Sequence, residues 1–415
     1  MSLISIFVVL LFLYSLISSR LGRTVVTAPI IFTTAGALGL LFLPESPDRQ
    51  GGEHFFLRVA ELGLVLLLFS DAYRTDLRVL KDFRNLPARL LSVGMLLTIL
   101  LGIVGALAVL PDLSLWEAGI LAAILAPTDA GLGQIIVNSP RVPLKIRQAL
   151  NVEAGLNDGL AVPFLLFFIG LAGGGAEGGH SGLTRYVVEQ LGYGVLVGAC
   201  VGLIGGWLLG AAARRHWSGH GWLQLGVVAL PLLCLLASEA VGASMFIAAF
   251  VGGLAARAGF KGAEAGADDF TEHAGQLCNL SVFFLFGLLV ARDWPQFHAR
   301  HLFYAALSLT VVRMLPVALA LIGTRLGAAT VLFMGWFGPR GLASIVLGLV
   351  YLEHETRQPG EATIRLAVMA TVLCSIFAHG LSALPGTSWY ERKVAARQPG
   401  APELKAPEAE VAALN

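Results

Sequence analysis

Thirteen stretches of roughly 20 mostly apolar residues recur along the chain, centred near residues 12, 35, 66, 99, 127, 158, 198, 231, 249, 284, 312, 340 and 372. That length matches the hydrocarbon thickness a transmembrane helix must cross. Runs such as "VVLLFLYSLI" are apolar on every face, with none of the alternation of a membrane barrel strand. Only 13% of the 415 residues are charged and the mean hydropathy is +0.77. A soluble domain of this length would carry about a quarter. The chain therefore reads as an all-α polytopic membrane protein.

The first window is not expected to be a cleaved signal, since Arg20 and Arg23 follow it and no basic residue precedes it. Cys200, Cys234, Cys278 and Cys374 each fall in an apolar window, which argues against disulfides or metal sites. A glycine-rich loop (173–182) and a polar, flexible cytoplasmic tail (386–415) are the expected soluble parts. Residues 1–385 then form one membrane domain. Lys and Arg divide unequally between alternate loops: 19 lie in the odd loops and the C-terminal tail, seven in the even loops. The bias supports thirteen spans, an external N-terminus and a cytoplasmic C-terminus.

Ionisable groups at membrane depth are costly and mark ion or proton paths. Asp129, Glu153, Asp158, Arg313 and Arg340 stand out, with Asp71 nearer the end of its window. In "LAPTDAGLGQIIV" (125–137), Pro127 removes a backbone donor and interrupts the fifth window. A broken helix exposes carbonyls on one side and amides on the other, tolerable only against protein or a cavity. Asp129 is placed to neutralise the positive end of the second half-helix, and the Thr128 carbonyl to face a cation. "GWFGPRGLAS" (335–344) breaks the twelfth window in the same way, with Arg340 in place of an acid.

Windows five and twelve are seven apart, the spacing of two inverted six-helix repeats (about 1–172 and 221–385) joined by a linker helix (about 185–212). "LVLLLFSDAYRTD" (64–76) and "SVFFLFGLLVARD" (281–293) agree with that symmetry. Paired broken helices in matching positions mark a transporter's binding site.

In "NVEAGLNDGLAVPF" (151–164), Glu153 and Asn157 share a helix face and Asp158 turns away. Arg340 is the expected ion-pair partner of Glu153, Asn157 is expected on the broken backbone of span five, and Arg313 is expected only as an interface or carbonyl contact. Asp158 is left to face water. Partial dehydration disfavours the charged form of a carboxylate, so such a group can exchange a proton for a hard cation.

"APTDA" (126–130), "NVEAGLNDG" (151–159) and "GPRG" (338–341) resemble the NhaP-type members of the cation–proton antiporter-1 family, relatives of the sodium–proton exchangers. The resemblance implies the NhaA-like fold of thirteen helices, with spans five and twelve crossing as broken helices, in a homodimer working by an elevator-like movement. It implies that Asp158 carries proton and cation in turn, that Thr128 adds a backbone oxygen, and that Asp71 matches a further acidic ligand; "FSDAYRTD" also reads as a simple helix cap. Asp129 and Asn157 would hold the crossing. Asn before Asp in "LNDG" marks the electroneutral branch. Ala130 stands where the family often has Pro. Ala154 stands where it has Ser, which removes a hydroxyl ligand.

The expectation is an electroneutral antiporter exchanging Na+, or Li+, for H+ by alternating access, in a bacterial inner membrane. It needs no cofactor, and its only partners are the cation, the proton, lipid and a second copy, with no nucleic acid. K+ in place of Na+ is the first alternative. An organic-anion symporter of similar architecture and a K+ pore follow, although no selectivity-filter sequence is visible. No nucleophile motif or metal-ligand cluster suggests an enzyme.

Overall fold

A computed structural model describes residues 3–22, 24–40, 49–74, 85–173, 188–260, 269–353, 359–395 and 403. Nearly all of the glycine-rich loop and most of the basic connection after Arg74 lie outside the described residues. The described residues form helices α1 (Leu3–Leu21), α2 (Ala28–Gly39), α3 (Arg49–Arg74), α4 (Leu86–Val109), α5 (Leu115–Ile124), α6 (Ala130–Val137), α7 (Leu144–Ala172) and α8 (Glu189–Arg214). They continue with α9 (His220–Val241), α10 (Met245–Gly259), α11 (Asp269–Asp293), α12 (Ala299–Leu309), α13 (Val311–Ala320), α14 (Ala328–Trp336), α15 (Leu342–Glu353) and α16 (Glu361–Ala395). Grouping α5 with α6, α12 with α13 and α14 with α15 gives thirteen spans, matching the thirteen apolar windows one for one. Eight helices among the described residues are long and apolar enough to cross a membrane.

The packing divides these helices into two panels. One, the scaffold, contains α1, α2, α3, α8, α9, α10 and α11; the other, the site panel, contains α4–α7 and α12–α16. Contacts within each panel are extensive. Between them the contacts are sparse, made chiefly by α3 against α7 and α15, with smaller ones of α10 on α7, α11 on α15 and α2 on α16.

Small residues account for the close packing inside the scaffold. Helices in lipid gain little from apolar burial against one another and associate by close backbone approach. On α8 the glycines recur every fourth residue, at 194, 198, 202, 206 and 210. A side chain at Gly198, Gly202 or Gly206 would run into the α10 carbonyls of Ala248, Gly252 and Ala256. The α2–α11 contact works the same way: Gly36 lies on the Phe284 carbonyl and Gly287 on that of Thr33. Helix α1 has no buried residue and touches the bundle through aromatic edges, Phe7 and Tyr14 each 5.7 Å from the Phe32 ring.

The C-terminal boundary differs from expectation. Helix α16 does not stop at Gly386 but continues to Ala395, with Pro385 inside it. Its last turns have something to pack on: Tyr390 stacks on Phe333 of α14 at 4.2 Å. Beyond the helix, buried Glu403 accepts the Gly327 amide (2.8 Å) and the Thr330 hydroxyl (3.1 Å) at the start of α14. Acidic capping of a helix N-terminus is favourable, so Glu403 of the polar tail is seated on the bundle.

Gly36→Ala and Gly287→Ala are each expected to destabilise the detergent-solubilised protein by about 1–3 kcal/mol through overpacking. Gly221→Ala, whose added methyl meets open space, should stay within about 0.5 kcal/mol of the parent. Thermal unfolding followed by tryptophan fluorescence checks this; equal melting temperatures for all three variants would contradict the close approach of α2 and α11.

Candidate ion-binding site at the crossing of two broken helices

Helix α5 begins with a capping box: Ser114 Oγ accepts the Glu117 amide (3.3 Å), and Glu117 Oε2 accepts the Ser114 amide (2.7 Å). It ends before Pro127 because the residue preceding a proline is disfavoured in helical conformation. The chain restarts as α6, with Asp129 as N-cap: Asp129 Oδ1 accepts the Leu132 amide at 2.8 Å. Opposite, α14 ends at Trp336, and Gly338 and Pro339 carry an unwound stretch to α15. The two interruptions meet. The Asp129 amide donates to the Pro339 carbonyl (2.8 Å), and Asp129 Oδ2 accepts the Leu342 amide at the first residue of α15 (2.6 Å). One carboxylate thus caps two helix N-termini, each carrying about half a positive charge. Gly341 has no room for a side chain, because Asp129 occupies that space.

The free carbonyls of the breaks are taken by cations and polar groups from neighbouring helices. Arg340, fully buried, donates from Nη1 to the Pro127 carbonyl at 3.1 Å. A chain of bonds from α16 holds the other break: the Arg340 amide donates to Ser375 Oγ (2.6 Å), and Ser375 Oγ lies 3.1 Å from His379 Nδ1. His379 Nε2 lies 2.8 Å from the Trp336 carbonyl at the end of α14, which also accepts the Gly338 amide (2.9 Å). Nδ1 faces the Ser375 carbonyl of its own helix as well, at 3.0 Å.

The ion pair differs from expectation. Glu153 is paired with Arg313 of α13, Nη1 to Oε1 at 2.6 Å, not with Arg340. Both side chains are almost wholly buried, 3% and 5% exposed. Arg313 reaches Glu153 beneath the second break, with its guanidinium against Gly338 where any side chain would collide. Arg340 lies within electrostatic range of the pair but spends its hydrogen bond on span five. Arg313 is therefore more than an interface contact: it neutralises the deepest acid of α7. Two buried arginines compete for one glutamate, and only the tertiary position of α13 decides between them.

Asn157 also differs in detail. Its Nδ2 donates to the Thr128 hydroxyl at 2.7 Å, not to Asp129, and its Oδ1 is buried without a hydrogen-bond partner among the described residues. It still ties α7 to the break, through a side chain.

Asp158 is half-buried, and its Oδ1 is fully enclosed without a hydrogen-bond partner among the described residues. Asp129, Asp71 and Arg340 are the charged groups in electrostatic range of it. Asp71 of α3 approaches from the scaffold: a side chain added at Gly155 would begin 3.5 Å from Asp71 Cβ and 3.9 Å from its carboxyl carbon. Gly155 lies one helical turn before Asp158, so Asp71 sits on the stretch of α7 that carries Asp158. Beneath the crossing, Thr128, Asp129, Glu153, Ala154, Phe337 and Pro339 line a cavity of about 20 Å³, enough for a single water. A second cavity, of about 680 Å³, opens between the panels from Phe286 and Ile345 to the charged rim of Arg292, Asp293, Glu361 and Arg365. Buried Asp293 on α11 is bound there by Arg365 of α16, an ion pair across the panel boundary.

Two six-helix halves, each with a broken helix, that cross head-on over buried carboxylates share the architecture of inverted-repeat transport proteins. The sodium/hydrogen exchanger transmembrane family model matches residues 6–388, and the chain belongs to that family. It is 27% identical over 392 residues to a probable Na+/H+ antiporter of Schizosaccharomyces pombe, covering 84% of this chain and 51% of that protein. A K+/H+ antiporter, NhaP, of Alkalimonas amylolytica is 27% identical over 388 residues, 92% of this chain and 65% of that one. The chain thus spans about half to two-thirds of these relatives' length. Its fold matches the sodium proton antiporter MjNhaP1 of Methanocaldococcus jannaschii, with a TM-score of 0.72 at 20% identity over 91% of this chain and 98% of that one. The relatives are named as transporters, not enzymes, and the chain is an integral membrane protein.

Arg313→Met alone is expected to cost about 3–5 kcal/mol, because it strands a buried carboxylate. Combining it with Glu153→Leu should recover most of that loss, whereas Arg340→Met with Glu153→Leu should not show the same coupling. Thermal melts of the two double-mutant cycles decide; a larger coupling for the Arg340 cycle would reverse the assignment.

Proposed function

We propose that this protein is an electroneutral secondary antiporter exchanging Na+, or Li+, for H+ by alternating access, with Asp158 as the group that carries each in turn. The observation that carries the reading is the state of Asp158: half-buried, one oxygen without a donor, at the crossing of two broken helices. An acid so placed is poorly stabilised as a bare anion. A proton or an alkali cation supplies the missing charge. Thr128 adds its backbone carbonyl, its hydroxyl being taken by Asn157. Asp71 supplies a further carboxylate from the scaffold.

Electroneutrality follows from formal charge. Asp129 and Glu153 are balanced by Arg313 and Arg340. With those four cancelling, and Asp71 belonging to the scaffold panel in both states, the site panel's share of the site is neutral when Asp158 holds either H+ or a monovalent cation. The cation-free, deprotonated site carries a net charge and crosses the bilayer poorly, which couples the two fluxes. Asn157, neutral, carries no second proton. The sparse contact between panels suits one panel sliding against the other. The loop charge bias supports an inner bacterial membrane protein with its C-terminus in the cytoplasm, and the resemblance supports a homodimer.

K+ is the second reading, since relatives are named for either ion and Ala154 offers no hydroxyl to tighten the site.

Proteoliposomes holding a pH gradient, challenged in turn with Na+, Li+ and K+, test the reading. Asp158→Asn is expected to abolish cation-driven dissipation while eluting as a folded species, and clamping the membrane potential with valinomycin should not change the parent's rate. Exchange persisting in Asp158→Asn would remove that residue from the mechanism, and a rate that follows the voltage would remove electroneutrality.

A further inference from the structure

We infer that Asn279 of α11 is a further cation ligand, contributed by the scaffold panel to the broken helix of span five; the inference rests on the antiport reading above. Its side-chain carboxamide reaches the first turn of α6, just past the break. A side chain starting at Gly131 would lie 3.0 Å from Asp129 Oδ1 and 3.2 Å from Asn279 Nδ2. The carboxamide and the capping carboxylate therefore flank the same point on the first turn of α6. The orientation of α11 is fixed one residue earlier, where Cys278 Cβ lies 2.8 Å from the position of a side chain on Gly63 of α3. With Cys278 turned into the scaffold, the next residue is rotated about 100° toward the site panel.

Asn279 Oδ1 is buried and has no hydrogen-bond partner among the described residues. A buried amide oxygen left unpaired is destabilising, and a sequence of apolar neighbours, "LCNLSVFFLF", would tolerate Leu there more cheaply. The oxygen has the character a hard alkali cation requires. Asp129 cannot serve freely, because both its oxygens accept helix amides. Ala154 brings no oxygen at all. Asn279 supplies a neutral one, raising cation affinity without altering the charge count that makes the exchange electroneutral. Because α11 belongs to the scaffold and α6 to the other panel, the ligand is delivered only where the panels meet as they do here. Asn279 then reads the cation, not the proton, since a protonated Asp158 needs no further oxygen.

The test measures the apparent KM for Na+, Li+ and K+ separately, by pH-gradient dissipation in proteoliposomes. Asn279→Ala is expected to raise the KM for the preferred cation about tenfold, equivalent to one lost ligand contact. It should change the ratio of KM values among the three ions and keep the maximal rate within about twofold. Asn279→Asp, which keeps an oxygen and adds charge, should lower the KM below the parent's. An unchanged KM in both variants overturns the assignment, as does a uniform drop in maximal rate with the three KM values intact, the signature of a purely structural side chain. Asp158→Asn measured alongside separates the two layers: if it abolishes exchange while Asn279→Ala and Asn279→Asp behave as the parent, only the Asn279 assignment falls. Should Asp158→Asn exchange normally, the underlying reading falls.

Discussion

The Asp129 carboxylate, shared between the first amides of α6 and α15, is the contact on which the rest of this architecture depends. Two helix N-termini facing one another in a low-dielectric interior repel, and each also presents amides with no intrahelical partner. A single negative group at their junction resolves both problems at once. Its backbone amide, bonded to Pro339, fixes the distance between the breaks. The result is a rigid frame holding unwound backbone inside the membrane, where backbone groups without partners cost several kcal/mol each.

That frame requires a matching arrangement of positive charge. Arg340 covers the carbonyl end of α5, and the Ser375–His379 pair covers the carbonyl end of α14. Arg313 neutralises Glu153. Replacing a buried ion pair by apolar residues is often neutral or stabilising, so fold stability alone does not account for charges this deep. They are accounted for by what they leave behind. With Asp129 and Glu153 held by partners, Asp158 keeps an oxygen without a hydrogen-bond partner among the described residues, and on the proposed reading that acid is the one that answers to a proton or a cation. Function here is a remainder after cancellation.

Much of this was legible in the sequence, for reasons that can be traced to particular residues. Pro127 and Pro339 announce breaks because each stands with glycine and an ionisable residue inside an apolar window, whereas Pro385 stays inside α16. Asp129, two residues beyond Pro127, reads as a cap for the same local reason. The seven-span offset between the breaks carries the inverted repeat. What was illegible depends on how distant helices are rotated. The sequence favours Arg340 for Glu153, because Arg340 lies in the matching break, and only the position of α13 against Gly338 brings Arg313 there instead. His379, in an apolar window, gives no local sign that it receives the last carbonyl of α14. Asn279 sits in a run that reads as lipid-facing or core, and only the nearness of Gly131 reveals it. The extension of α16 past Gly386 hinges on Tyr390 finding Phe333, a contact 57 residues away in sequence.

The central claim is that proton and cation compete for one carboxylate. Proton release on cation binding tests it most directly. Purified, unbuffered protein in detergent, near neutral pH with a pH-sensitive dye, is titrated with Na+, Li+ and K+ as chloride salts, and choline chloride controls for ionic strength. The account predicts close to one proton released per chain, saturating with the preferred cation, and none from Asp158→Asn. Cation binding without proton release, or release of the same size from Asp158→Asn, would contradict it.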